Sequence, residues 1–189
     1  MLFHPEADPL EAGCIRLTSS NTQAPYVSHD TKEAIRALEE APDGYRFLDW
    51  SGQGLKRVPS VPNSFRNARV ANLADNKLMA VPAHVADLKL LLRLSISNNS
   101  ISQIPDYLGK LEQLRELRAA DNSIGSVSGL EKLQYLALLD LQRNQLEELP
   151  DSLSRCTQLH KLLVSTNRLQ RLPSSYSRLV TRLFSRKFK

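Results

Sequence analysis

Residues 91–122 read LLRLSISNNSISQIPDYLGKLEQLRELRAADN and hold one complete unit of the pattern that decides the fold. Leu91, Leu94, Ile96, Asn99, Ile101, Ile104 and Pro105 spell L-x-x-L-x-L-x-x-N-x-L-x-x-L-P, and the pattern restarts at Leu114. Working outward in both directions, the Asn position falls on Gln53, Asn76, Asn99, Asn122, Asn144 and Asn167, in steps of 23, 23, 23, 22 and 23 residues. Steps this regular do not arise by chance, and a period in this range marks a solenoid of stacked coils.

The other columns agree. Three and five residues before the Asn stand Trp50/Leu48, Leu73/Ala71, Ile96/Leu94, Ala119/Leu117, Leu141/Leu139 and Val164/Leu162. This period-two alternation predicts a short strand with one buried face, paired with its copy in the next coil as a parallel sheet. After the strand the chain must turn inward, which strands backbone groups that cannot reach the ladder. A carboxamide, with two donors and an acceptor on a short stem, can satisfy them from inside the turn. At Pro59, Pro82, Pro105, Pro150 and Pro173, proline ends the extended run and starts the return limb. Limbs such as 106–111 and 151–156 are predicted to be short helical turns.

On these motifs, over about residues 45–179, the chain resembles the leucine-rich-repeat family, specifically short intracellular members with 23-residue L-x-x-L-P repeats. The resemblance implies an α/β fold: a curved solenoid with a parallel β-sheet on the concave face, short helical turns outside, and protein binding as its usual work.

The fourth repeat departs from the rest. It is one residue short, has Ser128 and Gly129 where the others have proline, and puts Ala119 in an inward column of Leu and Ile. The stretch 124–139 resembles the 22-residue repeat of leucine-rich phosphatase regulators. Either the curvature changes locally to accommodate a mixed repeat, or a groove over Ala119 and Ala120 admits a partner's side chain.

Around the repeats, the expected organisation is an irregular N-terminal arm over 1–27, a capping helix over 28–44, six repeats over 45–173, and a basic amphipathic capping helix over 174–189. A stack of repeats needs both ends covered. Asp30 and Glu33 make a capping-box-like start, and Ala34, Ile35 and Leu38 share a face that would lie against Trp50. At the other end Tyr176, Leu179, Val180, Leu183, Phe184 and Phe188 form an apolar stripe. Arg178, Arg182, Arg186, Lys187 and Lys189 supply a basic tail. The net charge of +5 conceals a split: residues 1–44 carry 3 basic and 8 acidic side chains, residues 168–189 carry 7 basic and none acidic.

Two cysteines far apart, Cys14 and Cys156, make no disulfide framework. The start of the chain has neither the basic segment nor the apolar run of a secretory leader, and no stretch is long and apolar enough to span a bilayer. The expectation is a cytoplasmic protein without a transmembrane segment. No phosphate-binding loop, dinucleotide fingerprint or metal-ligand spacing is present, so no catalytic residue, cofactor or metal ligand is assigned and the protein is read as no enzyme. The sequon Asn98-Asn99-Ser100 lies inside a repeat turn and is read as chance.

Partner binding is expected on the outward side of the sheet, at Asp49, Asn72, Ser95, Arg118, Asp140, Arg143 and Leu163. Beside them a column of small residues (Ser51, Ala74, Ser97, Ala120) would admit close approach. The reading is a non-catalytic interaction or scaffold subunit that binds protein within a larger assembly. Alternatives are an RNA-associated subunit contacting phosphate through the basic tail, and a regulator of a phosphatase or small GTPase.

Overall fold

A computed structural model describes residues 14–16, 46–58, 66–171 and 173–176. In chain order the strands are β1 (Cys14–Arg16), β2 (Arg46–Asp49), β3 (Ala68–Asn72), β4 (Arg93–Ser95), β5 (Gln103–Ile104), β6 (Glu116–Arg118), β7 (Ser126–Val127), β8 (Leu138–Asp140) and β9 (Lys161–Leu163). Seven form one parallel sheet in the order β1-β2-β3-β4-β6-β8-β9, while β5 and β7 pair separately.

The register stacks equivalent residues. Ala71, Leu94, Leu117, Leu139 and Leu162 align across consecutive strands. Leu73, Ile96, Ala119 and Leu141 make the neighbouring column, all fully buried. Each such leucine removed from water contributes roughly 1.5–3 kcal/mol. No coil can bury its apolar edge alone, so the core is one continuous cluster from Leu48 to Tyr176.

The return limbs are 3-10 turns: Ala83–Asp87, Asp106–Lys110, Leu130–Lys132, Asp151–Arg155 and Ser174–Tyr176. Pro82, Pro105 and Pro150 stand immediately before three of them in extended conformation, and each proline carbonyl accepts the N–H three residues on. Proline's fixed φ and missing donor suit that position.

The asparagines do what the turn requires, reaching further than expected. Asn99 Nδ2 donates to Ile96 O and Ser97 O at 3.1 Å in its own coil and to Leu73 O at 3.0 Å in the preceding one. Its Oδ1 accepts the Leu78 N–H at 3.0 Å, again from the preceding coil. Asn76, Asn122, Asn144 and Asn167 repeat this set. Each carboxamide therefore joins two coils. The first coil, where Gln53 replaces Asn, offers its Gln53 N–H to Asn76 Oδ1 at 3.2 Å.

In the short fourth repeat the return limb is a three-residue turn, where the neighbouring limbs have five. Gly129 opens it at φ +75°, and a Cβ there would fall 2.4 Å from Asp106 O. A Cβ on Gly109 would fall 2.6 Å from Gly129 O, so the third and fourth limbs pack backbone against backbone. Ser128, in the proline column, donates both its N–H and its hydroxyl to Ile104 O at 3.1 Å. A proline would forfeit the N–H bond.

Two expectations change. The arm over 1–27 contains a strand: the backbone of Cys14–Arg16 pairs parallel with β2, in the register Cys14↔Phe47, Ile15↔Leu48 and Arg16↔Asp49. An extended segment there satisfies ladder groups that the edge of β2 would otherwise leave unpaired. Ser174–Tyr176 is a 3-10 turn like the preceding limbs, not the start of an α-helix. Tyr176 is buried there and donates its hydroxyl to Pro150 O at 2.8 Å. The rest of the arm, the capping helix over 28–44, Pro59 and the tail from residue 177 onward lie outside the described residues. Among the described residues no helix is long and apolar enough to cross a membrane.

Candidate functional site

Because inward positions are fixed by stacking, variation concentrates on the outward side of the sheet. Alternation places three outward columns there. The first runs Phe47, Val70, Arg93, Glu116, Leu138, Lys161. The second runs Asp49, Asn72, Ser95, Arg118, Asp140, Leu163 on the same strands. The third is Ser51, Ala74, Ser97, Ala120, Gln142, Ser165, where the strands give way to the turn.

The second column is partly occupied with its own backbone. Asp49 Oδ1 accepts the Ser51 N–H at 3.0 Å and the Ser51 hydroxyl at 2.6 Å. Asn72 Oδ1 accepts the Ala74 N–H at 3.2 Å, and Asp140 Oδ1 the Gln142 N–H at 3.1 Å. These are Asx turns that bend the chain as it leaves the strand. Asp49 is only 5% exposed and offers little surface. Arg118, on the same column, makes no such bond to its own turn and is 58% exposed on the open face.

Beyond the third column, the turn needs a left-handed residue in every coil. Gly52, Asp75, Asn98, Asp121, Arg143 and Thr166 all have φ between +52° and +68°. Asp and Asn tolerate that region; Arg and a β-branched Thr do so at a cost. Arg143 meets Asp121 across one coil in a two-pronged ion pair, Nη2 donating to Oδ2 at 2.6 Å. The hydrogen bond from Arg143 lowers the Asp121 carboxyl below its usual range and raises the guanidinium. Asp140 adds to that field without joining the pair. This exposed pair steadies the turn column more than it presents a binding group.

The face carries a hollow. Phe47 and Val70 sit at one end of a depression of about 300 Å³, and Arg93, Glu116 and Arg118 at the other, with Asn72 and Ser95 between. Glu116 is shared: Arg118 Nε donates to it at 2.5 Å and Arg93 Nε lies 3.4 Å away.

Of the positions the sequence singled out, the hollow brings together Asn72, Ser95 and Arg118; Asp140, Arg143 and Leu163 stand outside it, as does Asp49. The basic tail residues Arg178, Arg182, Arg186, Lys187 and Lys189 lie outside the described residues. The imagined groove over Ala119 and Ala120 is not open: both are buried, at 0% and 6% exposure. Sequence reasoning missed Phe47, Val70, Arg93 and Glu116. The signal was available, since each lies two residues before the second column and strand side chains repeat every second residue.

Residues 90–111 and 135–156 match the Leucine Rich Repeat family model. With the stacked parallel strands and the asparagine ladder, these matches identify the coils. The chain carries leucine-rich repeats. Among solved structures it is similar to a leucine-rich-repeat protein of Leptospira interrogans, at 26% identity over 86% of this chain and 39% of that one, with a TM-score of 0.68. It is also similar to an internalin from Listeria monocytogenes, at 26% identity over 64% of this chain and 34% of that one, with a TM-score of 0.53. The leucine-rich-repeat chain thus spans less than two fifths of the length of either protein. Comparison with curated proteins gives no match. Leucine-rich-repeat folds generally mediate protein–protein interaction, and their members are typically not enzymes.

Proposed function

We propose that this chain is a non-catalytic interaction subunit that binds another protein through the outward face of its sheet, as part of a larger assembly. The observation that carries the reading is the contrast between the two sides of the same strands. The inward side repeats nearly the same residue type in every coil, whereas the outward side changes from apolar (Phe47, Val70) to charged (Arg93, Glu116, Arg118) and back to apolar (Leu138, Leu163) within one sheet. Stacking imposes no demand for such variety. Charges of both signs beside apolar groups suit a folded protein surface better than a uniformly anionic one.

The test is native co-purification of the full chain with its partners, followed by sizing and mass spectrometry. Two variants change the outward face, Arg118→Glu and Leu138→Arg, and one changes an exposed residue of the turn that precedes β6, Gln113→Arg. A partner of fixed stoichiometry retained by wild type and Gln113→Arg but lost from both face variants is the expected outcome. Retention by all three would move the contact to an edge or an extension. Wild-type chain emerging alone would remove the constitutive-subunit reading.

A further inference from the structure

We infer that the hollow is a subsite for an acidic segment of the partner protein, seating one aspartate or glutamate side chain between Arg93 and Arg118 and a large apolar side chain over Phe47 and Val70. The inference rests on the outward-face reading and deepens it by naming the chemistry recognised.

The charge count carries the first half. Two arginines and one carboxylate line the depression, so after Glu116 is shared between them one positive charge is left over. Both guanidinium side chains are about half exposed, 52% for Arg93 and 58% for Arg118, so a second acceptor can reach them without displacing core groups. Two neighbours dilute the field: Asp140 stands opposite Arg118 on β8, and Asp49 stands opposite Asn72 on β2. Each is held in a bond to the backbone N–H two residues on, and the ion pair that Arg118 makes among the described residues is with Glu116. The arginine end is where an incoming carboxylate can reach two half-exposed guanidinium groups at once.

Spacing carries the second half. Phe47 and Val70 lie opposite one another on β2 and β3, and Arg93 and Glu116 continue the same column on β4 and β6, with Arg118 two residues beyond Glu116. Adjacent strands are about 4.8 Å apart, so the centre of the apolar pair and the centre of the arginine pair are separated by roughly 10 Å across the sheet. A segment crossing the strands spans that distance in about three extended residues. The volume, about 300 Å³, is at the small end for ligand pockets, and fits a few side chains of a docked segment.

Glu116 has a distinct role here. It holds both arginines in place and competes with the incoming carboxylate for the same donors. Removing its charge therefore tightens acidic ligands, an effect that damage to the fold cannot mimic.

The experiment uses the full chain and a library of acetylated, amidated decapeptides of randomised composition, with a matched library carrying a free C-terminal carboxylate. Expected is enrichment of blocked peptides with an Asp or Glu about three residues from a large apolar residue. For a selected peptide, Arg118→Ser should weaken binding about tenfold, the effect of losing one good charge-assisted bond, and Glu116→Gln should strengthen it severalfold. Unchanged thermal melting of the variants controls for folding. Enrichment of neutral or basic peptides, enrichment only in the free-carboxylate library, no enrichment at all, or Glu116→Gln binding more weakly would each overturn the inference. Selected peptides that ignore Arg93, Glu116 and Arg118 but are lost with Leu138→Arg would overturn the subsite and leave the outward-face reading standing.

Discussion

Leu117 and Arg118 are neighbours on β6, yet they live under different rules. Leu117 is fully buried between Leu94 and Leu139 of the adjoining coils, so its size and apolarity are set by residues roughly a repeat away in each direction. Arg118 has Ser95 and Asp140 as its lateral neighbours and water above it. On the inner side each coil is the template for the next; on the outer side no such demand exists. The inner face therefore specifies the solenoid, and the outer face is available to specify a partner.

The sharpest way to break that contrast is to truncate both neighbours. Leu117→Ala should cost roughly 2–5 kcal/mol in urea unfolding, because the stacked column cannot collapse around the hole. Arg118→Ala should stay within about 0.5 kcal/mol of wild type. Equal costs for the two would mean that the faces are not functionally separate.

A smaller effect is expected at the turn. Asn122→Ala removes donors that serve Ile96 O, Ala119 O and Ala120 O and the acceptor of the Ile101 N–H. Leaving such groups unsatisfied costs about 1–3 kcal/mol. Hydrogen exchange should localise the loss to the third and fourth coils together, since the side chain joins them. Faster exchange confined to one coil would contradict the linking role.

The smallest effect concerns pH. Burial raises the Cys156 thiol from 9.0 to about 11 and lifts the Tyr176 hydroxyl well above its usual range. Both are neutral in the fold, so their contribution is complete below the unfolded values. Unfolded Cys156 ionises first, so stability should fall as pH rises from 9.0 toward about 11. Cys156→Ala should lower the melting temperature at neutral pH and flatten its decline over that alkaline window. An unchanged slope would mean that Cys156 is not the group being titrated.

Much of the molecule was legible in the chain. Position in the repeat located the six strands that precede the Asn column, their parallel stacking, the buried columns and the asparagines, because each is a demand that every coil makes in the same terms; β1, β5 and β7 were not read from it. The proline column likewise located the outer limbs, though their 3-10 character follows from limbs of at most five residues closing between two packed coils. The candidate site was legible only by column. Asn72, Ser95 and Arg118 were picked out by alternation, but Phe47, Val70, Arg93 and Glu116 lay one step earlier along the same alternation, where the strand begins.

What tertiary structure alone decided is which outward residues work for the fold and which remain for a partner. Asp49, Asn72 and Asp140 turn out to hold Asx turns, and Arg143 to fill a left-handed position while pairing with Asp121. Arg93 and Arg118 converge on one carboxylate beside an apolar pair. Sequence fixes periodicity because stacking is a one-dimensional constraint repeated along the chain. A site joins residues about 23, 46 or 69 positions apart through side-chain reach and rotamer, and those are settled only once the coils are stacked.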